Sequence, residues 1–140
     1  MKYLIDTCVI SEFTKKSPNQ DVIAWLKYAN EEGLYLSVLT MGELQRGITK
    51  LPESKRKENL IRWLDDLRIR FRGRIIEIDE DIVVTWGKTT GDLEKTGIVL
   101  PAIDGLIAAT AKTHNMAIIT RNVSDFEKSG VDIVNPWHSE

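Results

Sequence analysis

The sequence predicts an α/β fold, a parallel sheet with helices on both faces. Three observations carry that expectation. The apolar runs are short and barely alternate with polar residues, as in Tyr3-Leu4-Ile5, Leu34-Tyr35-Leu36 and Ala117-Ile118-Ile119. Runs of that kind suit strands buried on both faces, as parallel strands are. The segments between them repeat their apolar residues at the helical period of about 3.6 residues, and strands alternating with helices build parallel crossover units. The balance of 42% hydrophobic and 29% charged residues over 140 positions is that of an ordinary globular chain, long enough for a single domain over 1–140.

Taken in order, residues 2–6 form the first strand, which runs into Asp6. A helix from Asn19 or Gln20 to Asn30 sets Val22, Leu26 and Ala29 on one face. Gly33 bounds a strand over 34–38, and a short helix follows over 41–50. Pro52 opens a long helix with the stripe Leu60, Leu64, Leu67 and Phe71, because proline is pre-shaped for a first helical position. A strand over 75–78 leads to a helix over 81–95 that turns Ile82, Trp86 and Leu93 inward and closes at Gly97. Pro101 opens the next helix, which runs to His114; a strand over 117–120 and a short one over 132–134 complete the chain. In such sheets ligands bind beyond the carboxyl ends of the strands, where Asp6 and the segment after Thr120 fall.

The bulk properties exclude several classes. A net charge of -2 announces no overall basic field for nucleic acid. No segment approaches the roughly 20 apolar residues of a membrane span. Lys2 precedes neither a long apolar stretch nor a small-residue cleavage site, so no signal peptide is expected. The sequon Asn122-Val123-Ser124 has no meaning without secretion. The single cysteine, Cys8, excludes an internal disulfide and suits a reducing, cytoplasmic setting. It reads as a small buried hydrophobe. A nucleophilic thiol wants a nearby histidine, and His114 and His138 lie far along the chain.

Four carboxylates stand at strand ends or helix starts, and each has a bland reading. Asp6 is equally a turn or cap residue, with Ser11 in the same loop or first helical turn. Glu43, in Thr40-Met41-Gly42-Glu43, matches a capping box in which Glu reaches back to the cap amide; taken alone, that reading is the stronger. Asp104 is the one acid of Pro101–Ala111, a helix apolar almost all round. It would complement the helix dipole, yet a buried charge is costly unless paired or metal-bound, which favours function. Asp125 belongs to a polar loop, with Asn122 as a possible cap, or to a site. Together the four positions converge on one sheet edge. Carboxylates packed there repel and resist ionising. A hard divalent cation relieves that conflict with oxygen ligands; it can generate hydroxide and clamp a phosphoryl oxygen. This is chemistry for phosphodiester hydrolysis without a histidine, cysteine or covalent intermediate.

With these residues in view, the chain resembles the PIN-domain ribonucleases of the VapC type, the toxins of type II toxin–antitoxin pairs. The matching segments are YLIDTCVIS, SVLTMGEL, PAIDGLIAATA and IITRNVSDF followed by VNPW, in family order along nearly the whole chain. The resemblance implies a single PIN-like domain. It implies metal-binding, catalytic acids at Asp6, Glu43, Asp104 and Asp125, and hydroxyls at Thr7 and Ser11 that orient ligands or water. Thr120 and Asn122 fall at polar positions of the fourth motif. The resemblance further implies endonucleolytic RNA cleavage with Mg²⁺ or Mn²⁺, a homodimer, and a small VapB-like antitoxin whose tail enters the cleft. Gly105 follows Asp104 where many relatives carry alanine, a small-for-small exchange.

A surface for RNA is less well marked. Residues 55–74 hold eight basic and three acidic side chains, a local charge of +5, but a charge run is by default a solvated helix face. Arg46 and Arg121 stand closer in sequence to the acids and are the candidate phosphate contacts. Of the four tryptophans, Trp86 belongs to a core stripe, Trp25 and Trp137 to packing or dimer contacts, and Trp63, off its helix stripe, to an interface. Two other classes compete with the nuclease. A catalytically silent PIN-like protein that only binds RNA or a partner is disfavoured by the intact acids. An aspartate phosphatase wants a second acid two residues after the first, where this chain has Cys8, and a phospho-accepting receiver wants a late lysine where it has Thr120-Arg121-Asn122.

Overall fold

The computed structural model describes residues 1–137. Its sheet consists of β1 (Tyr3–Ile5), β2 (Leu34–Ser37), β3 (Ile75–Ile76), β4 (Ala117–Ile119) and β5 (Ile133–Val134). They lie in the order β3-β2-β1-β4-β5, and every adjacent pair is parallel. Tyr3 of the central strand stands opposite Leu34 on one side and Ala117 on the other. The chain builds outward from β1 to β3, then returns to lay β4 against the free side of β1. That reversal makes the carboxyl ends of β1 and β4 the place where a ligand crevice opens.

The α-helices are α1 (Thr7–Ile10), α2 (Gln20–Tyr28), α3 (Val38–Thr49), α4 (Lys55–Arg70), α5 (Glu80–Lys95), α6 (Ala102–Thr113) and α7 (Val123–Glu127), of which the short α1 and α7 are not separate elements of the sequence reading. They cover both faces as expected, because successive strand residues point to opposite sides. Ile5 and Ile119 join Val9, Val22, Leu44, Ile48, Leu64, Leu67 and Phe71, from α1 to α4 and the residue closing α4, in one core. Their neighbours Leu4 and Ile118 point the other way, into a second core with Ile107, Ala108, Ala111 and Phe126 from α6 and α7. Helix α5 packs on α6.

Several boundaries differ from the sequence reading, each for a local reason. Helix α3 begins at Val38, not at 41, because the Ser37 hydroxyl accepts the Leu39 N–H at 3.1 Å and starts the helix where the strand stops. Thr40 therefore lies inside the first turn, and the expected capping box with Glu43 does not form. Helix α4 starts at Lys55 under the Ser54 hydroxyl, which accepts the Lys57 N–H at 3.1 Å; Pro52 sits in the loop before it. Pro101 occupies the cap position of α6 rather than its first turn. Gly97 does end α5, at φ +83°. The strand predicted over 75–78 pairs only at Ile75–Ile76. Gly105 is a true close approach: a Cβ there would lie 3.0 Å from Trp86 Nε1, so an alanine would require the indole to shift by a few tenths of an ångström.

The cap assignment is open to direct test. Ser37→Ala removes the hydroxyl that starts α3 and is expected to lower the unfolding free energy by about 1–2 kcal/mol in urea titration. A change within about 0.3 kcal/mol would mean that α3 starts without help from Ser37.

Candidate active site

Topology decides which side chains meet. Parallel strands end on one edge, so Asp6 after β1, Thr120 after β4 and the start of α3 after β2 lie side by side. Helix α6 leads into β4 and runs against the strand direction, which returns its first turn, with Asp104, to the same edge. Helix α7 follows β4 and carries Asp125.

Asp6 is 4% exposed and does two jobs. Its Oδ1 accepts the Thr7 N–H at 2.9 Å, capping α1. Its Oδ2 accepts the Thr120 hydroxyl at 2.8 Å and the Cys8 thiol at 3.5 Å. The cap reading left open by the sequence is thus observed, and the second oxygen of the same carboxylate reaches across to Thr120. Burial raises its pKa, the hydrogen bonds from Thr120, Thr7 and Cys8 pull it back, and the charge of Glu43 raises it again. Glu43, in the second turn of α3, accepts the Thr7 hydroxyl on Oε1 at 2.7 Å. Thr7 therefore joins the first and second acids, through its amide to one and its hydroxyl to the other.

Asp104 is half-buried in the first turn of α6. Burial pushes its carboxyl up to about 6, and the charges of Asp6, Asp125 and Glu43 push in the same direction. Among the described residues no hydrogen bond offsets them. Asp104 thus reports that all four acids share one field. Among the described residues no three acidic, imidazole or thiol groups are drawn together closely enough to hold a metal ion by themselves. The four acids share one edge with carboxylate oxygens as their only donors, the donor type that a hard ion with several waters takes.

The supporting residues divide. Thr120 is fully buried; besides donating to Asp6 it accepts the Asn122 N–H at 3.0 Å. Asn122 takes part through that backbone bond: it holds the cap position of α7 without a side-chain cap bond, so the expected capping role fails. Ser11 closes α1, and its carbonyl accepts the Thr14 hydroxyl at 2.7 Å; its hydroxyl is not among the groups that hydrogen-bond the acids. Cys8 is far from a nucleophile, since burial and the charge of Asp6 push its thiol up to about 11. The residue that the sequence misassigned is Thr40, fully buried with its Oγ 3.1 Å from the Thr7 hydroxyl. The signal was present in Ser37, a cap residue three positions before it.

The basic stretch follows its default reading. Arg70 grips Glu31 at 2.5 and 3.2 Å. Arg74 donates to the carbonyls of Glu31, Leu34 and Arg70. Arg68 pairs with Asp65 at 3.1 Å, and Lys57 with Glu53 at 2.8 Å. These groups tie α4 to its surroundings, although exposed pairs of this kind are individually worth about 0–1 kcal/mol. Arg46 is exposed on α3, one turn beyond Glu43. Arg121 is exposed and lies over the Trp137 ring at 4.9 Å. Trp25 meets Tyr3 edge to face at 5.1 Å, and Trp63 packs partly against the first core.

The electrostatics give a pH prediction. The folded carboxyl of Asp104, near 6, stands above its ordinary value of 3.8. The folded state therefore binds this proton more tightly than the unfolded state, and metal-free stability falls as pH rises from about 4 to about 6. Asp104→Asn removes that penalty. Without metal, its thermal midpoint at pH 7 is expected to equal or exceed that of the parent, with a flatter profile between pH 4 and 6. A large drop in midpoint at pH 7 would contradict the shared-field account.

Comparison with known proteins agrees with this geometry. The PIN domain profile matches residues 3–129. Toxin FitB of Neisseria gonorrhoeae is 38% identical over 136 residues, covering 96% of this chain and 98% of that protein. VapC ribonuclease Y4jK of Sinorhizobium fredii is 36% identical over 135 residues, covering 96% of each. Among solved structures, that of FitAB bound to an IR36 DNA fragment superposes with a TM-score of 0.94 at 37% identity, covering 99% of this chain and 97% of its counterpart. VapBC2 of Rickettsia felis, bound to a DNA fragment from its promoter, gives 0.81 at 25% identity, covering 96% and 98%. A profile spanning most of the chain, relatives matched from end to end, and one sheet edge bearing four acids lead to one assignment: the chain belongs to the PIN-domain family.

Proposed function

We propose that this chain is a metal-dependent endoribonuclease, the toxin of a type II toxin–antitoxin module, with Asp6, Glu43, Asp104 and Asp125 as its catalytic, metal-holding acids. The observation that carries the reading is the convergence on Asp104 of three other carboxylates in a cleft without a nucleophile. Relatives named as a VapC ribonuclease and as toxin FitB, matched over nearly their whole length, support it. The chain as a whole, 1–140, is read as one domain acting on RNA in the cytoplasm, as a homodimer. Among the described residues no helix is long and apolar enough to cross a membrane.

The residues on the page suit Mg²⁺ or Mn²⁺, since every candidate ligand is a carboxylate oxygen. Such an ion, when bound, neutralises the shared charge and polarises a phosphoryl oxygen. The protein's part is orientation. Thr7 N–H and the Thr120 hydroxyl fix the two oxygens of Asp6. The Thr7 hydroxyl holds Glu43. Asp104, its carboxyl pushed up to about 6, keeps its proton into mildly acidic pH while no cation is bound. Arg46 and Arg121, exposed beside the acids, are placed to meet flanking phosphates. Thr7, Thr120 and the Asn122 backbone support the cradle, and Ser11 shapes the turn after α1.

The solved complexes FitAB and VapBC2 support an antitoxin partner. A groove of about 460 Å³, lined by Ile5, Phe13, Leu26, Trp63 and Phe71 and flanked by the charged Lys27, Glu31, Asp66 and Arg70, is an amphipathic seat for it that begins at the residue before Asp6.

Two experiments test these statements. Purified, antitoxin-free protein is expected to cut total cellular RNA into discrete fragments with Mg²⁺ or Mn²⁺, and not with EDTA or as Asp104→Asn. Folded protein that cuts nothing in either metal would instead favour a silent RNA- or partner-binding role. Trp63→Ala, or Phe13→Ala if the first variant is unstable, is expected to weaken binding of the cognate antitoxin about 30-fold or more, the scale of a hot spot. Unchanged affinity would place the antitoxin elsewhere.

A further inference from the structure

Thr40 is fully buried, lies three residues before Glu43 on α3, and is remote from β1 in sequence. Its hydroxyl behaves unlike those of two threonines inside other helices, the half-buried Thr90 and the buried Thr110. Thr90 and Thr110 donate back along their own helices to the carbonyls of Trp86 and Leu106, at 2.7 and 2.8 Å, the usual use of a threonine inside a helix. Thr40 instead turns across to Thr7, with the two oxygens 3.1 Å apart. The direction of that bond follows from counting protons. A threonine hydroxyl has one proton and two acceptor sites, and a carboxylate oxygen only accepts. Thr7 Oγ stands 2.7 Å from Glu43 Oε1, so the Thr7 proton belongs to the shorter, charge-assisted bond. The contact with Thr40 can then be made only by the Thr40 proton, donated to Thr7 Oγ.

We propose that Thr40 is a positioning residue for Glu43. By donating to Thr7 Oγ it sets the Thr7 hydroxyl rotor, so that the Thr7 proton points at Glu43 and holds that carboxylate at the metal edge of the cleft. The chain of bonds Thr40 to Thr7 to Glu43 joins the first turn of α3 to the end of β1, and its purpose is to orient a metal ligand. This inference rests on the metal-dependent reading of the site, in which residues behind the ligands tune affinity.

The test uses the full-length protein without RNA and reads Mn²⁺ affinity by calorimetry. Thr40→Val keeps the shape and removes the hydroxyl. It is expected to weaken Mn²⁺ binding about 10-fold, the low end for loss of such a support, while Thr40→Ser restores it. In a Glu43→Gln background the effect of Thr40→Val is expected to vanish, because the cycle isolates action through that carboxylate. If Thr40→Val does not fold, Thr40→Ala carries the same comparison. Parental affinity in the folded valine variant, a serine variant as weak as valine, or an undiminished effect in the Glu43→Gln background would each overturn the proposal. A parent protein that binds no Mn²⁺ would overturn the metal-dependent reading beneath it, which separates the two failures.

Discussion

Negative charge gathered at one edge of a parallel sheet is the constraint around which this protein is arranged. Asp6 is almost fully buried, and Asp104 sits half-buried in the field of three other carboxylates. Such a cluster is unfavourable in a metal-free protein, since burial and repulsion both disfavour the ionised forms. The fold withstands it by holding two of the four acids with directed hydrogen bonds. Asp6 receives an amide, a hydroxyl and a thiol, while Glu43 receives a hydroxyl. Among the described residues Asp104 has no such support, and its pKa is raised with nothing to pull it back, whereas hydrogen bonds offset part of the rise at Asp6. The cluster therefore has a side joined through Thr7 and a side that no hydrogen bond supports among the described residues.

The rest of the architecture serves that edge. The two cores hold β1 and β4 from opposite faces through alternating residues, Leu4 and Ile118 to one side, Ile5 and Ile119 to the other. This fixes the register in which Ile5 stands opposite Ile119. The next residue on each strand is Asp6 and Thr120, so their hydrogen bond is a direct consequence of sheet register. Gly105, pressed against the Trp86 indole, brings α5 close to the turn that presents Asp104. Charge elsewhere is used for attachment: Arg68 and Arg70 of α4 pair with Asp65 and Glu31, and Arg74 beyond it binds backbone carbonyls, while Arg46 and Arg121 are exposed.

Much of this was legible in the sequence. Short unbroken apolar runs predicted buried parallel strands, and the helical periods predicted both covering layers. The four acids stood out because each was a charge at the boundary of an apolar element, and the resemblance to PIN-domain nucleases named the same four. Local reasoning erred where two local signals competed. Thr40-Met41-Gly42-Glu43 matches a capping box, yet Ser37 captures the helix start three residues earlier and turns the same threonine inward. Pro52 and Pro101 were read as first helical residues, but Ser54 caps one helix downstream, and Pro101 itself occupies the cap of the other. Asn122 has the composition of a cap, and its side chain makes no cap bond.

The sequence by itself determined the elements, their order and the chemical character of the site, because hydrophobic period and residue type are local properties that need no partner. Only the tertiary structure decided which groups touch. That Thr7 links Asp6 to Glu43, that Thr120 closes on Asp6 across 114 positions, and that Asp104 feels all three other acids depend on strand order and on the direction in which α6 returns to the sheet. Those are long-range facts, set by how the two cores close and by no short stretch of chain.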